Sequence, residues 1–393
     1  MFSAISKSTN LNLRFEPNRL FQSPLVSGTW AILAPAGLQN HAPQLCWINE
    51  ASLACVWMAG GQEGTAGMSI FMSILREGKT KWSKAKLISQ DSTRSEQNPL
   101  LFLTPNNKVN LLHTAQHSRD LSDTSWRDTG STFSMQWTAL IRLQALKNSG
   151  VRWSKAIDLL DTPAFCRNPP YRLPDSTLLL PIYRSLETGG AFGSDYSEVV
   201  HLDSDGVPTG NIYPVPNSTG RVHGSIVSSC DGKRLIQFFR SRMADKIYRS
   251  VGSEDGSIWS TPEPTILPNN NSSVQSIRLL SGRLAMIFNR FSYSRSPSSE
   301  PVWGEAHWPR TRWPLSIALS EDDGISWPWI LDLDTGNGYA GVANWHLNGQ
   351  LAYPTILEGL PGELHIAYSW AGRAAIRYVC INEELVLGDS SFS

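Results

Sequence analysis

What most constrains this chain is a repeat. Six segments share one grammar: a short apolar strand, a turn carrying Gly, Asn, Asp or Ser, then a second apolar strand, which is the pattern of a β-hairpin. They begin at Ala42 (APQLCWINEASLACVW), Asn98 (NPLLFLTPNNKVNLLHTAQ), Asn168 (NPPYRLPDSTLLLPIYRS), Gly224 (GSIVSSCDGKRLIQFFRS), Ser273 (SVQSIRLLSGRLAMIFNR) and Tyr353 (YPTILEGLPGELHIAYSW). The leucines that open the second strands, Leu53, Leu111, Leu178, Leu235, Leu284 and Leu364, lie 58, 67, 57, 49 and 80 residues apart. Such intervals fit propeller blades with loop insertions, and a blade buries its faces only against its neighbours. The expectation is an all-β, six-bladed β-propeller with four-stranded blades, one domain over residues 1–393 with a core from about 41 to 381. Apolar alternating runs near Asn10 (NLNLRF) and Ala374 (AAIRYVCI) are expected to pair and close the ring. Two long polar stretches, His113 to Gln136 and Asn289 to Arg312, exceed hairpin turns and are expected to form rims or lids over the channel mouth.

Composition removes several function classes. Lys+Arg and Asp+Glu are both 34, and charged residues make up only 17% of the chain, against about 25% in an average globular protein. Binding nucleic acid or an anionic membrane by bulk charge is therefore disfavoured. The five cysteines are scattered without a C-x-x-C pair, so neither a disulfide framework nor a zinc motif is suggested. Walker, Rossmann, His-Glu-x-x-His and EF-hand patterns are missing, and neither a metal nor a cofactor is expected. No stretch approaches the ~18 apolar residues of a membrane span. As written the N-terminus reads as cytoplasmic, or as secreted or periplasmic if a leader has been removed.

A second repeat runs out of phase with the hairpins: Trp82 (WSKAKLI), Trp153 (WSKAIDLL), Trp259 (WSTPEPTIL) and Trp327 (WPWILDL) each follow a turn and open an outer strand. The clearest copy, SEDDGISW from Ser320 to Trp327, reads Ser-x-Asp-x-Gly-x-x-Trp. Here Ser and Asp bond backbone groups of the turn, Gly takes positive φ, and Trp plugs the gap beneath the hairpin. Worn copies precede Trp259 (Glu254-Asp255-Gly256), Trp153 (Asn148-Ser149-Gly150) and Trp82 (Glu77-Gly78).

Hairpins interleaved with such Asp-boxes resemble the sialidase (neuraminidase) superfamily, and most of all its bacterial branch of predicted neuraminidases with degenerate BNR repeats. The resemblance runs from about His41 to Trp370 and implies an arginine triad gripping a substrate carboxylate, a Tyr nucleophile paired with a Glu, and an Asp acid/base. A phenol suits this chemistry because the carboxylate of the sugar repels an anionic nucleophile. By that resemblance Tyr353, at the start of the last hairpin, is the nucleophile. Glu198, 23 residues before Arg221, is its base, and Arg221 and Arg312 belong to the clamp. His223 and the pair Arg240 and Arg242 are expected near the channel rim. The first blade departs from true sialidases: His41-Ala42-Pro43 stands where they carry Phe/Tyr-Arg-Ile-Pro, and Glu63 in GGQEG is the nearest carboxylate for the acid/base. Both features are typical of the predicted-neuraminidase branch.

The implied function is hydrolysis of a terminal acidic sugar, with Glu63 or His41 protonating the leaving group. Two alternatives stay open: a propeller polysaccharide lyase acting on a uronic acid with His41 as base, and a non-catalytic glycan- or protein-binding propeller. No nucleic-acid partner is expected.

Overall fold

The central strands explain why the chain stacks as blades. Ser52–Gly60 reads SLACVWMAG, apolar on both parities, and every residue but the last is buried, as in a strand covered on both faces. The structure is a computed structural model that describes residues 16–23, 28–119, 135–147, 152–187, 194–293, 306–336 and 350–388.

Strands β1 (Phe21–Gln22) and β2 (Gly28–Leu33) precede the first full blade, which comprises β3 (Gln39–Asn49), β4 (Ser52–Gly60), β5 (Ser69–Arg76) and β6 (Lys86–Ser89). The second blade holds β7 (Arg94–Leu103), β8 (Val109–His117), β9 (Leu140–Ala145) and β10 (Ile157–Asp158). In the third, two short strands, β11 (Phe165–Cys166) and β12 (Tyr171–Arg172), share the inner position against β13 (Leu178–Arg184), followed by β14 (Tyr196–Leu202) and β15 (Pro208–Pro214). The fourth comprises β16 (Arg221–Ser228), β17 (Leu235–Ser241), β18 (Lys246–Gly252) and β19 (Glu263–Pro268). The fifth comprises β20 (Gln275–Arg278), β21 (Leu284–Asn289), β22 (Leu315–Ser320) and β23 (Trp329–Asp334). The sixth runs β24 (Ala352–Glu358), β25 (Glu363–Trp370), β26 (Ala375–Asn382), and then takes β2 and β1 as its outer strands. Every pairing within the blades is antiparallel, and the molecule is a six-bladed β-propeller.

Ring closure differs from the expected pairing. The partner of β26 is Gly28–Leu33, in register from Gly28↔Ile381 to Leu33↔Ile376, while the run near Asn10 lies outside the described residues. Gly28 is suited to this edge because a Cβ there would stand 2.2 Å from the Cys380 carbonyl oxygen. Apolar layers then fill each gap between blades. Leu112 and Ile141 meet Leu178 and Val200, Ile317 meets Ile356 and Ile366, and Leu53 and Trp57 meet Ala367 and Tyr378 across the closing seam. Each fully buried Leu or Ile contributes about 1.5–3 kcal/mol.

The outer turns behave as their sequence implies. Ser320 Oγ donates to Asp322 Oδ1 at 2.7 Å, the Ser326 amide donates to the same oxygen at 2.8 Å, and Trp327 Nε1 donates to the Gly324 carbonyl at 3.2 Å. The worn copy keeps this scheme: Ser253 Oγ donates to Asp255 Oδ1 at 2.5 Å and Trp259 Nε1 to the Gly256 carbonyl at 2.8 Å. The copy before Trp153 falls partly outside the described residues. No helix among the described residues is long and apolar enough to cross a membrane.

Candidate active site

The inner strands carry a feature that aims side chains into the channel mouth. In β3, β7, β16 and β24 the register slips near the start of the strand, between His41 and Gln44, Gln97 and Leu100, Val222 and Ser225, and Ala352 and Thr355. Each slip holds a non-glycine residue at positive φ: Ala42 (53°), Asn98 (49°), His223 (56°) and Tyr353 (52°). Pro43, Pro99 and Pro354 follow three of them, although a residue before proline prefers extended backbone. This strain, of order 1–3 kcal/mol per residue, turns an extra residue out of the ladder and re-aims it. Asn98, His223 and Tyr353 consequently line the mouth.

Two adjacent residues of the third blade hold the bulges. Arg167 Nη2 donates to the carbonyls of Pro43 (3.2 Å), Tyr353 (2.9 Å) and Pro354 (3.4 Å), binding blades one and six. Asn168 Nδ2 donates to the carbonyls of His223 (2.8 Å), Gly224 (3.1 Å) and Val274 (3.1 Å), binding blades four and five. Burial, opposed by Tyr353, brings the Arg167 guanidinium down to about 10.

Above this floor lies a cavity of about 530 Å³ with five arginines in its wall: Arg119, Arg240, Arg242, Arg312 and Arg373. A chain with no net charge thus gathers cations at one opening, a field that draws anions. Arg240 Nε donates to Asn271 Oδ1 at 2.7 Å and its Nη1 to the Tyr353 hydroxyl oxygen at 2.7 Å, while its buried Nη2 has no hydrogen-bond partner among the described residues. Arg242 Nε donates to the buried Asp195 Oδ2 at 2.6 Å. Trp308 lies against both guanidiniums, with its ring centre 5.2 Å from Arg240 and 5.1 Å from Arg242. Arg312 makes no side-chain hydrogen bond or ion pair among the described residues. Burial, opposed by Tyr353, lowers it to about 10.

Two acidic groups respond to this field. Burial pushes the Tyr353 hydroxyl up, but Arg240 and Arg312 outweigh burial and the nearby Glu63, and its pKa falls below the ordinary 10.0. Glu63 sits in the turn after β4, where Arg119 Nη2 donates to its carbonyl at 3.0 Å and Arg373 Nη1 to its Oε2 at 2.5 Å. Burial raises its carboxyl, yet Arg373, helped by Arg312 and Arg240, leaves it below the usual carboxylate range.

The residues expected from the sequence separate into two groups. Tyr353, Glu63, Arg312, His223 and Arg240 meet in the cavity wall. His41 lies behind it: fully buried, its Nδ1 2.8 Å from Ser369 Oγ and its ring 4.2 Å from that of Tyr353. Burial, followed by Arg373 and Arg312, holds this imidazole well below 6.5. Glu198 and Arg221 are elsewhere. Glu198 is on β14, one strand farther from the channel than β13, and accepts from Arg184 Nε at 2.7 Å. The Arg221 guanidinium packs 3.6 Å from the centre of the Tyr248 ring and donates to Ser241 Oγ at 3.0 Å. The reason is the bulge: at the start of β16 it is His223, two residues on, that is turned into the mouth.

Arg119, Arg373 and Asp195 escape a reading by residue type. Arg373 belongs to the Ala371-Gly372-Arg373 turn, where all three residues have positive φ. The Ala-Pro, Asn-Pro, His-Gly and Tyr-Pro pairs at Ala42, Asn98, His223 and Tyr353 are the signal that marks the bulges.

The BNR repeat-like domain family model matches residues 51–366. No curated protein matches by sequence. Among solved structures, the Hadza microbial sialidase Hz136 superposes with a TM-score of 0.68 at 13% identity, covering 93% of this chain and 75% of that one. A protein of unknown function from Dyadobacter fermentans gives 0.67 at 12%, covering 90% and 97%. The intramolecular trans-sialidase of Ruminococcus gnavus, in complex with oseltamivir carboxylate, gives 0.62 at 12%, covering 88% and 95%. At these identities the likeness is one of fold, and with the family model matched across most of its length the chain belongs to the BNR repeat-like domain family, with the fold of the sialidase-like propellers.

Proposed function

We propose that the protein is a glycosidase that removes a terminal acidic sugar of the sialic-acid class. One observation carries the reading: the Tyr353 hydroxyl accepts a 2.7 Å hydrogen bond from Arg240 Nη1 inside a pocket of arginines, while Arg240 Nη2 has no partner among the described residues. In this reading Arg240 Nη2, Arg312 and Arg373 hold the sugar carboxylate, a planar anion suited to guanidinium forks. The Tyr353 hydroxyl, which loses its proton to solvent at a lowered pKa, attacks the anomeric carbon as the bond to the aglycone oxygen breaks. The carboxylate of the bound sugar takes over Arg373, so Glu63 regains a proton and passes it to the departing oxygen. Water then attacks the glycosylated tyrosine, gives its proton to Glu63, and the phenolate is released. Arg240 takes the place that Glu198 has in the sequence-based reading: it favours the phenolate by charge rather than by accepting a proton.

A second reading, β-elimination beside a uronic acid, is supported by His223. Its ring lines the mouth, its Nδ1 has no hydrogen-bond partner among the described residues, and burial with Arg240 and Arg242 keeps it neutral. The role of base then passes to it from His41. A fluorogenic α-ketoside of N-acetylneuraminic acid, assayed beside an unsaturated-uronate absorbance assay, separates the two. Release from the ketoside that disappears in Tyr353→Phe supports hydrolysis. Absorbance growth on a uronate polymer without ketoside turnover overturns it in favour of elimination, and silence in both favours a binding propeller.

A further inference from the structure

Blade six has chemistry at both ends. From Tyr353 at the mouth, β24 runs to Glu358, roughly 17 Å away at strand rise, and the turn after it delivers β25 beginning at Glu363. In the β25–β26 ladder His365 lies directly opposite Cys380, and Glu363, two residues earlier, shares the His365 face by strand alternation. Their donor atoms, a carboxylate oxygen, an imidazole nitrogen and a thiol sulfur, all lie within 4.8 Å of one another. Glu363 Oε2 is 3.6 Å from His365 Nε2, and Glu363 Oε1 is 3.4 Å from Cys380 Sγ. Bond lengths of about 2.0 Å to O and N and 2.3 Å to S at tetrahedral angles require edges of about 3.3 and 3.5 Å. The Glu363–His365 and Glu363–Cys380 edges already stand within about 0.3 Å of these values, each through its own carboxylate oxygen.

Three independent features point the set at a ligand. First, His365 is only 5% exposed, and its Nε2 has no hydrogen-bond partner among the described residues, which costs free energy in a buried polar atom. Second, its Nδ1 is 2.7 Å from the Tyr378 hydroxyl, the outer hydrogen bond that fixes the ring and frees the other nitrogen to ligate. Third, a Cβ on Gly359 would stand 2.5 Å from Nε2 and 3.1 Å from Glu363 Oε2, so the absence of a side chain there keeps that space open. A cavity of about 510 Å³ between blades six and one, lined by Trp47, Gly359, Glu363 and His365, opens onto the set and leaves room for a water as fourth ligand.

We infer that Glu363, His365 and Cys380 form a site for Zn²⁺ or a similarly borderline-soft divalent ion at the face opposite the channel mouth, with water as fourth ligand. Binding deprotonates Cys380, releasing its proton to solvent. The ion joins two neighbouring strands of the blade that closes the ring, beside the seam with blade one.

The test uses the full chain freed of metal by a chelator and titrated with Zn²⁺ against a chromophoric competitor, then with Co²⁺ by absorption spectroscopy. One tight equivalent is expected, with tetrahedral cobalt bands and a thiolate-to-cobalt charge-transfer band. Cys380→Ser removes that band, and Cys380→Ser and His365→Gln each weaken Zn²⁺ by at least about 100-fold; Tyr378→Phe, which keeps all three ligands, weakens it about tenfold. Should the His365 variant fail to fold, Glu363→Gln, whose side chain is 40% exposed, replaces it, with the same loss of Zn²⁺ affinity expected. No tight equivalent in the wild type, or a charge-transfer band that survives Cys380→Ser, overturns the site.

Discussion

The two ends of each blade solve different problems by different means. At the outer turns the bonds that shape the turn are local: Ser320 to Asp322 spans two positions, Trp327 to Gly324 three, and the Gly324 amide to Ser320 four, while Asp323 ties the box to the Cys230 amide and to Arg249 and Arg278. At the mouth they span the ring: Tyr353 to Arg240 is separated by 113 positions, Arg167 to Pro43 by 124, and Arg167 to Tyr353 by 186. The Ser320, Asp322 and Trp327 bonds of the outer turn need only its eight residues. The mouth has no meaning until six blades have assembled, and it concentrates backbone strain and buried cations, whereas the boxes that end at Trp259 and Trp327 carry neither Arg nor Lys. One place closes a hairpin, and the other gathers cations that draw an anion.

Four measurements sharpen or break this contrast. The largest effect belongs to Tyr353→Phe, which retains the ring: kcat/KM on the ketoside falls at least about a thousandfold, as for loss of a nucleophile. A residual rate within tenfold of wild type removes Tyr353 from the chemistry. Arg167→Met comes next. It leaves the Tyr353 and Pro43 carbonyls short of a donor, and urea unfolding should show a loss of about 3 kcal/mol, given about 1–3 kcal/mol for each unsatisfied buried group. A loss under about 1 kcal/mol means that the bulges hold themselves, and the floor of the mouth is then as local as the outer turns.

The third effect is one of pH. Arg240 draws the Tyr353 pKa below 10.0; because turnover needs Tyr353 ionised and Glu63 protonated together, the same proton count as the resting pair, kcat/KM stays flat between the two pKa values and falls with pH above the lowered Tyr353 value. Arg240→Gln moves this falling limb to higher pH by about one unit or more, equivalent to about 1.4 kcal/mol; an unmoved limb assigns it to another group. Asp322→Ala is the smallest, costing about 1 kcal/mol for its turn hydrogen bonds while kcat/KM stays at the wild-type value. A matching fall in turnover would show that the two ends are coupled.

The same contrast explains what was legible beforehand. The Asp-box from Ser320 to Trp327 and the six hairpins could be read because each is a pattern of neighbours. Tyr353, Arg312, His223, Arg240 and Glu63 could be placed near the mouth because inner strands start there and the second strands end there. Glu198 and Arg221 misled because a shared spacing does not tell which face of a pleat a residue occupies, and a one-residue slip reverses it. Arg373 and Arg119 gave no signal, each being an arginine in a loop: ring closure brings Arg373 to Glu63, and the packing of blade two on blade one brings Arg119.

By itself, then, the sequence determined the number of blades, their inner hairpins and the turns that cap them, since period-two patterning and bonds over two to four positions are properties of a short segment. Only the tertiary structure decided which side chains share the mouth, that Gly28–Leu33 closes the ring, and that His365 faces Cys380. These depend on register and on contacts across the ring, where one bulge redirects a side chain and distant blades supply the charges that set its pKa.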